Sequence, residues 1–144
     1  MTIAAILKHK GHAIITIDPN ATIAEATHTL AERHIGAAVV CNERGDLLGI
    51  LSERDIVRAL AREGASVLDH HVSQLMTQKV TTAQPRTTVA EAMQMMTTGR
   101  FRHLPVMDLE RLIGLVSIGD VVKARMSQQE NEVDSLKAYV AGVG

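Results

Sequence analysis

The sequence is almost without aromatic rings: one phenylalanine, Phe101, one tyrosine, Tyr139, and no tryptophan among 144 residues. Proteins that bind single-stranded nucleic acid stack successive bases on several rings, and no such platform can be built here. Charge of one sign is also missing. Lys plus Arg number 15 and Asp plus Glu 16, a formal net charge of −1, so no basic field exists to hold a phosphate backbone. Both absences argue against a nucleic-acid partner. The single cysteine, Cys41, excludes an internal disulfide and a CxxC zinc site, and it reads as a small core hydrophobe. No apolar run approaches the ~20 residues of a membrane-spanning helix, and the N-terminus lacks the apolar stretch of a signal peptide. The expectation is a cytoplasmic protein with no membrane partner. Neither a P-loop nor a Gly-x-Gly-x-x-Gly turn is present.

What is present is an apolar complement of 46%, mostly aliphatic, enough for a packed core, and it is organised as a repeat. Thr16–Cys41 aligns with Thr82–Met107 at an offset of 66, and Leu47–Ala59 aligns with Leu112–Ala124 at 65. Identical pairs include Thr22/Thr88, Glu25/Glu91, Gly49/Gly114, Ser52/Ser117 and Asp55/Asp120. Two copies of one supersecondary unit follow, each small enough to need the other's core. An approximate twofold axis between them is expected.

Each copy reads as strand, helix, strand, strand, helix, so the fold class is mixed α/β of the α+β kind. In the first, Ala13–Ile17 is β-rich and ends at the turn Asp18-Pro19-Asn20. Thr22-x-x-Glu25 has the form of a capping box, and Ile23, Ala26, Leu30 and Ala31 share one helical face. Ala37–Cys41 and Leu47–Leu51 read as strands around a turn at Gly45, and the helix after Ser52 turns Ile56, Val57 and Leu60 inward. In the second copy Thr88-x-x-Glu91 opens a helix with Val89, Ala92, Met93 and Met96 inside, and Leu104–Met107 and Leu112–Val116 are strands. The Met93, Met95 and Met96 group reads as packing filler. Outside the repeat, Thr2–Lys8 reads as a leading helix and Asp69–Met76 as its counterpart before the second copy. Ser127–Val140 is helix-favouring, with Val133, Leu136 and Val140 at heptad-like spacing, a face for the body or for a partner subunit.

Two matched segments carry the chemistry: Gly49-Ile-Leu-Ser-Glu-Arg-Asp55 and Gly114-Leu-Val-Ser-Ile-Gly-Asp120. Each runs from a strand into a helix. Ser-x-x-Asp is a sound helix cap by itself. It also places free N–H groups and a carboxylate at one point. A carboxylate repels phosphate but suits the two hydroxyl donors of a ribose. Cations for a phosphate are concentrated in Arg100-Phe-Arg102-His103, with Arg54 beside Asp55, and arginine presents a fork that matches phosphate oxygens. The first copy has Ile35-Gly36-Ala37-Ala38 at the aligned positions, so the copies are chemically unequal. A solvated turn explains Arg100 and Arg102 equally well. Ser117, His103 and Asp120 lack the Gly-x-Ser-x-Gly elbow of a hydrolase, and His70-His71 has no third metal ligand nearby. Neither a catalytic nor a metal site is expected.

The repeat order, Gly-x-x-Ser-x-x-Asp in both copies and Arg-His-Leu-Pro-Val in the second resemble the cystathionine-beta-synthase-type (CBS) domain pair, or Bateman module, in its small stand-alone bacterial form. The resemblance implies a CBS repeat at 10–65, another at 69–126 and a helical tail at 127–144. It implies a non-catalytic regulatory module that binds an adenine nucleotide in the cleft between the repeats, AMP first, with ATP, ADP or NAD(H) also in view. By the same resemblance Asp55 and Asp120 hold ribose, and Ser52 and Ser117 lie near ribose or phosphate. Arg102 and His103, aided by Arg54 and Arg100, meet phosphate. Ile14, Ile15 and Val80 line the adenine, with Lys10 and Gly11 at its rim. The unequal cations favour a site that pairs Asp55 with Arg102 and His103. A homodimer and an unknown regulated protein are the expected partners. The alternative is a structural interaction or dimerisation module with vestigial clefts.

Overall fold

The computed structural model describes residues 1–142 of the chain. Its elements run α1 (Ile3–Lys10), β1 (Thr16–Ile17), α2 (Ile23–Arg33), β2 (Ala37–Cys41), β3 (Leu47–Ser52), α3 (Glu53–Glu63), a 3-10 turn (Ala65–Asp69), α4 (Val72–Leu75), α5 (Val89–Gly99), β4 (His103–Asp108), β5 (Arg111–Ser117) and α6 (Ile118–Gly142). Helices and strands are mixed as the α+β reading requires. They form two compact units. One comprises Ala13–Thr81 with Asp108–Ile113; the other comprises Met1–His12, Thr82–Met107 and the chain from Gly114 onward.

The unit of the first repeat is a three-stranded sheet in the order β1-β2-β3. β1 runs parallel to β2, with Thr16 opposite Val39 and Ile17 opposite Val40, and β2 pairs antiparallel with β3. Ile17, Ile23, Ala26, Leu30, Val40, Leu51, Ile56 and Val72 make one buried cluster, and full burial of each large aliphatic chain is worth about 1.5–3 kcal/mol. The strand expected over Ala13–Ile17 is only Thr16–Ile17, because it finds partners at Val39 and Val40 alone. Two side chains face away from the expected core. Ala31 is exposed, and Val57 is 63% exposed, its place inside taken by Ala59. In α3, Ile56 and Ala59 lie three apart on the inner face, and Val57 falls a hundred degrees away.

The second repeat keeps the register of the first. Ala83 bridges Val106 in parallel, which is Ile17 opposite Val40 moved by the repeat offset. Its first strand shrinks to that bridge, held by Ala83 N–H to the Pro105 carbonyl and Met107 N–H to the Ala83 carbonyl, both 2.8 Å. Strands β4 and β5 pair through a two-residue turn at Leu109 and Glu110, both at positive φ. The expected tail segment is no separate helix. It continues α6 without a break.

The segment ahead of each repeat belongs to the other repeat's unit. Beside α2, the Ile23 N–H donates to the His70 carbonyl and the Val72 N–H to the Ala21 carbonyl, each at 2.8 Å. Beside α5, the Val89 N–H donates to the Met1 carbonyl at 3.0 Å and the Ile3 N–H to the Thr87 carbonyl at 2.8 Å. Two helix starts thereby satisfy each other's orphan donors, and the same device occurs in both units. It also explains the motif glycines. A Cβ on Gly49 would lie 2.7 Å from the Thr77 carbonyl oxygen, and one on Gly114 would lie 2.7 Å from Cδ2 of Leu7.

Candidate ligand site

Each Ser-x-x-Asp segment folds as a reciprocal cap. Ser52 is extended, at φ −111° and ψ 159°, and its Oγ accepts the Asp55 N–H at 3.2 Å. The Ser52 N–H and hydroxyl both donate to Oδ2 of Asp55, at 2.9 and 3.0 Å. In the second repeat the Asp120 N–H donates to Ser117 Oγ at 3.1 Å, and the Ser117 N–H to Asp120 Oδ2 at 2.8 Å. Thus both carboxylates are fixed at a helix start, where the backbone dipole favours negative charge.

Beyond the cap, the two sites differ. Nζ of Lys10 donates to Oδ2 of Asp120 at 2.6 Å and to the Leu115 carbonyl at 2.8 Å. Burial alone would push the Asp120 carboxyl up. The hydrogen bonds from Lys10 and Ser117, with the charge of Lys10, outweigh it and hold Asp120 below the ordinary aspartate value. Lys10, which the family resemblance puts at an adenine rim, is therefore a cation held against Asp120.

The Arg-His element is anchored in the unit of Asp120. The Ile118 N–H donates to the Arg102 carbonyl at 2.7 Å, just as the Glu53 N–H donates to the Gly36 carbonyl at 2.9 Å in the first repeat. Arg102 thus sits at the start of α6 by its backbone, and half-buried His103 opens β4. Arg100 closes α5 in the left-handed conformation at φ 57°, the counterpart of His34 at φ 55°. Arg54 lies in the first turn of α3, next to Asp55.

Of the expected adenine residues, Lys10 ends α1, and Gly11, Ile14, Ile15 and Val80 fall outside regular elements. Ile14 and Ile15 are half-buried ahead of β1, and Val80 is half-buried ahead of Ala83. Ile14 borders an open groove of about 410 Å³ with Asp18, Cys41, Asn42 and Glu43. Gly11 ends α1 at φ +100°, its N–H on the Leu7 carbonyl. Cys41 is half-buried at the end of β2; burial, and after it the Asp46 charge, push its thiol pKa up.

Sequence reasoning missed a second set of polar residues. Asp55 borders an open groove of about 750 Å³ whose other polar residues include Arg58, Arg62, Glu63 and His70. The spacing Asp55, Arg58, Arg62 (i, i+3, i+7) places them on one helix face, and that pattern was available to find them. His71 is exposed, and its Nδ1 lies 2.8 Å from the Asn20 carbonyl oxygen. Among the described residues no group of three or more His, Cys, Asp or Glu is set to hold a metal ion, and no helix is long and apolar enough to cross a membrane.

The repeated cap, its register and the offset of 66 meet in a family profile for the CBS domain, which matches residues 11–62 and again 72–127. The chain belongs to the CBS domain family. Over 98% of its length it is 36% identical to the CBS domain-containing protein CBSX3, mitochondrial, of Arabidopsis thaliana, covering 72% of that protein. Among solved structures, the CBS-domain containing protein ATU1752 from Agrobacterium tumefaciens is 46% identical, with a TM-score of 0.85 over 87% of this chain and 99% of that one. The CBS domain pair of protein MJ0100, solved in complex with 5′-methylthioadenosine and S-adenosyl-L-methionine, is 26% identical, with a TM-score of 0.78 over 89% and 98%.

Proposed function

We propose that this CBS domain pair is a non-catalytic regulatory module that senses an adenine nucleotide, AMP before ATP, ADP or NAD(H). The observation that carries this reading is the reciprocal Ser-Asp cap at two helix starts. It presents a fixed carboxylate for a ribose diol beside backbone N–H groups. The MJ0100 pair supports the class of ligand, since both molecules named with it contain an adenosyl group. Asp55 is the stronger ribose partner, because Asp120 already holds Lys10. Ser52 and Ser117 border the sugar. Arg102 and His103, with Arg54 and Arg100, meet phosphate, and Ile14, Ile15 and Val80 give the base an aliphatic slot, with Gly11 and Lys10 at its rim. Binding acts by population shift, favouring whichever arrangement holds both ends of the nucleotide.

Calorimetry with AMP and adenosine tests the phosphate role. Arg102→Ala weakens AMP far more than adenosine if Arg102 meets the phosphate, and equal losses refute that role. No binding of any adenine nucleotide at millimolar concentration would overturn the sensor. In its place would stand a homodimeric, cytoplasmic interaction module with vestigial clefts. One observation favours that second reading: the exposed apolar face of α6.

A further inference from the structure

α6 outruns the body it starts from. Val121 is buried, whereas every residue from Gln129 to Gly142 is exposed. An isolated helix of this length is marginal in water unless an apolar face is covered. Val122, Met126, Val133, Leu136 and Val140 are all exposed, between 39% and 70%. With Gln129 they form one seam: 122, 126, 129, 133, 136 and 140 alternate steps of four and three. That is the a/d pattern of a two-stranded coiled coil, with one polar layer of the kind that fixes register.

The charges beside the seam identify the occupant. Arg125 and Glu132 precede the a positions Met126 and Val133; Glu130 and Lys137 follow the d positions Gln129 and Leu136. In a parallel, in-register pair the first set faces the second set one heptad on. Arg125 then meets Glu130 of the second copy, and Glu132 meets Lys137 of the second copy. Twofold symmetry makes four attractive pairs. The antiparallel arrangement with the same layers instead sets Glu130 level with its own copy and Lys123 level with Lys137. The geometry points to a second copy of this chain as the occupant, joined through α6 as a parallel, in-register coiled coil. The seam is short, so association is concentration-dependent. This interface stands apart from the nucleotide site and does not depend on it.

Charge reversal in the full-length chain tests it by analytical ultracentrifugation. Lys137→Glu turns two attractive pairs repulsive and raises the dimer dissociation constant several-fold. Adding Glu132→Lys restores the pairs and the affinity. Both positions are exposed, so folding is untouched. Orientation is read by oxidation: Val140→Cys in a Cys41→Ser background forms a disulfide dimer rapidly, because a positions face each other in register. Three results would overturn the proposal: a chain monomeric at all concentrations, a dimer indifferent to Lys137→Glu, or a disulfide between a Met126→Cys copy and a Leu136→Cys copy with none in Val140→Cys.

Discussion

Nζ of Lys10 lies 2.6 Å from Oδ2 of Asp120, joining the end of α1 to the first turn of α6 across 110 residues. Asp55, at the equivalent place in the first repeat, has its Oδ2 held by the Ser52 N–H and hydroxyl. One pair of aspartates in a duplicated motif therefore has two electrostatic settings. Because the folded pKa of Asp120 is lowered, its contribution to stability is present above the unfolded value of about 3.9 and is lost as pH falls through the folded value. Lys10→Met should raise the Asp120 titration seen by carboxyl NMR and leave less acid-labile stability. An unchanged Asp120 titration would contradict the pairing.

Cys41 should react slowly with thiol reagents at neutral pH, because burial and then the charge of Asp46 push its pKa up and only the thiolate is nucleophilic. Its alkylation rate should still be climbing above pH 9. Asp46→Asn should speed it modestly, since burial is the larger cause. A plateau near neutrality would be inconsistent with this setting.

The motif glycines should respond unequally to a methyl group. At Gly49 the new Cβ meets a backbone oxygen, whereas at Gly114 it meets the end of a leucine side chain. Overpacking costs about 1–3 kcal/mol, so urea denaturation should show Gly49→Ala near the top of that range. Gly114→Ala should cost less, because Leu7 can change rotamer. A reversed order would mean that the close approach at Thr77 is not what demands glycine.

The β4–β5 turn should be improvable. Leu109 and Glu110 sit at φ 49° and 66°, where a side chain costs about 1–2 kcal/mol. Leu109 is 89% exposed and loses no packing on replacement. Leu109→Asn with Glu110→Gly, the residues such a turn prefers, should raise the melting temperature. A fall would show that these side chains matter elsewhere.

Much of the fold was readable because its signals are local. Thr22 and Thr88 cap where the Thr-x-x-Glu spacing says, each accepting the N–H three residues on. The repeat offset carries the parallel register from Ile17–Val40 to Ala83–Val106. What escaped depends on distant partners. No spacing announces that the segment ahead of each repeat joins the other repeat's unit, or that Lys10 meets Asp120. Val57 was misplaced because an apolar count treats it like Ile56, while the helical turn puts Ala59 inside instead. The candidate caps were legible to the residue; in the groove beside Asp55, Arg58 and Arg62 follow from the helical spacing, whereas His70 does not, since it comes from beyond the helix.

Thermal unfolding of the full chain with and without AMP tests the central claim most directly. A ligand at a hundred times its Kd stabilises the native state by about 2.7 kcal/mol, which a melting curve resolves. The account predicts that AMP raises Tm of the wild type, that Asp55→Asn abolishes most of the rise, and that Asp120→Asn leaves most of it intact. A rise that survives Asp55→Asn, or no rise at all, would contradict it.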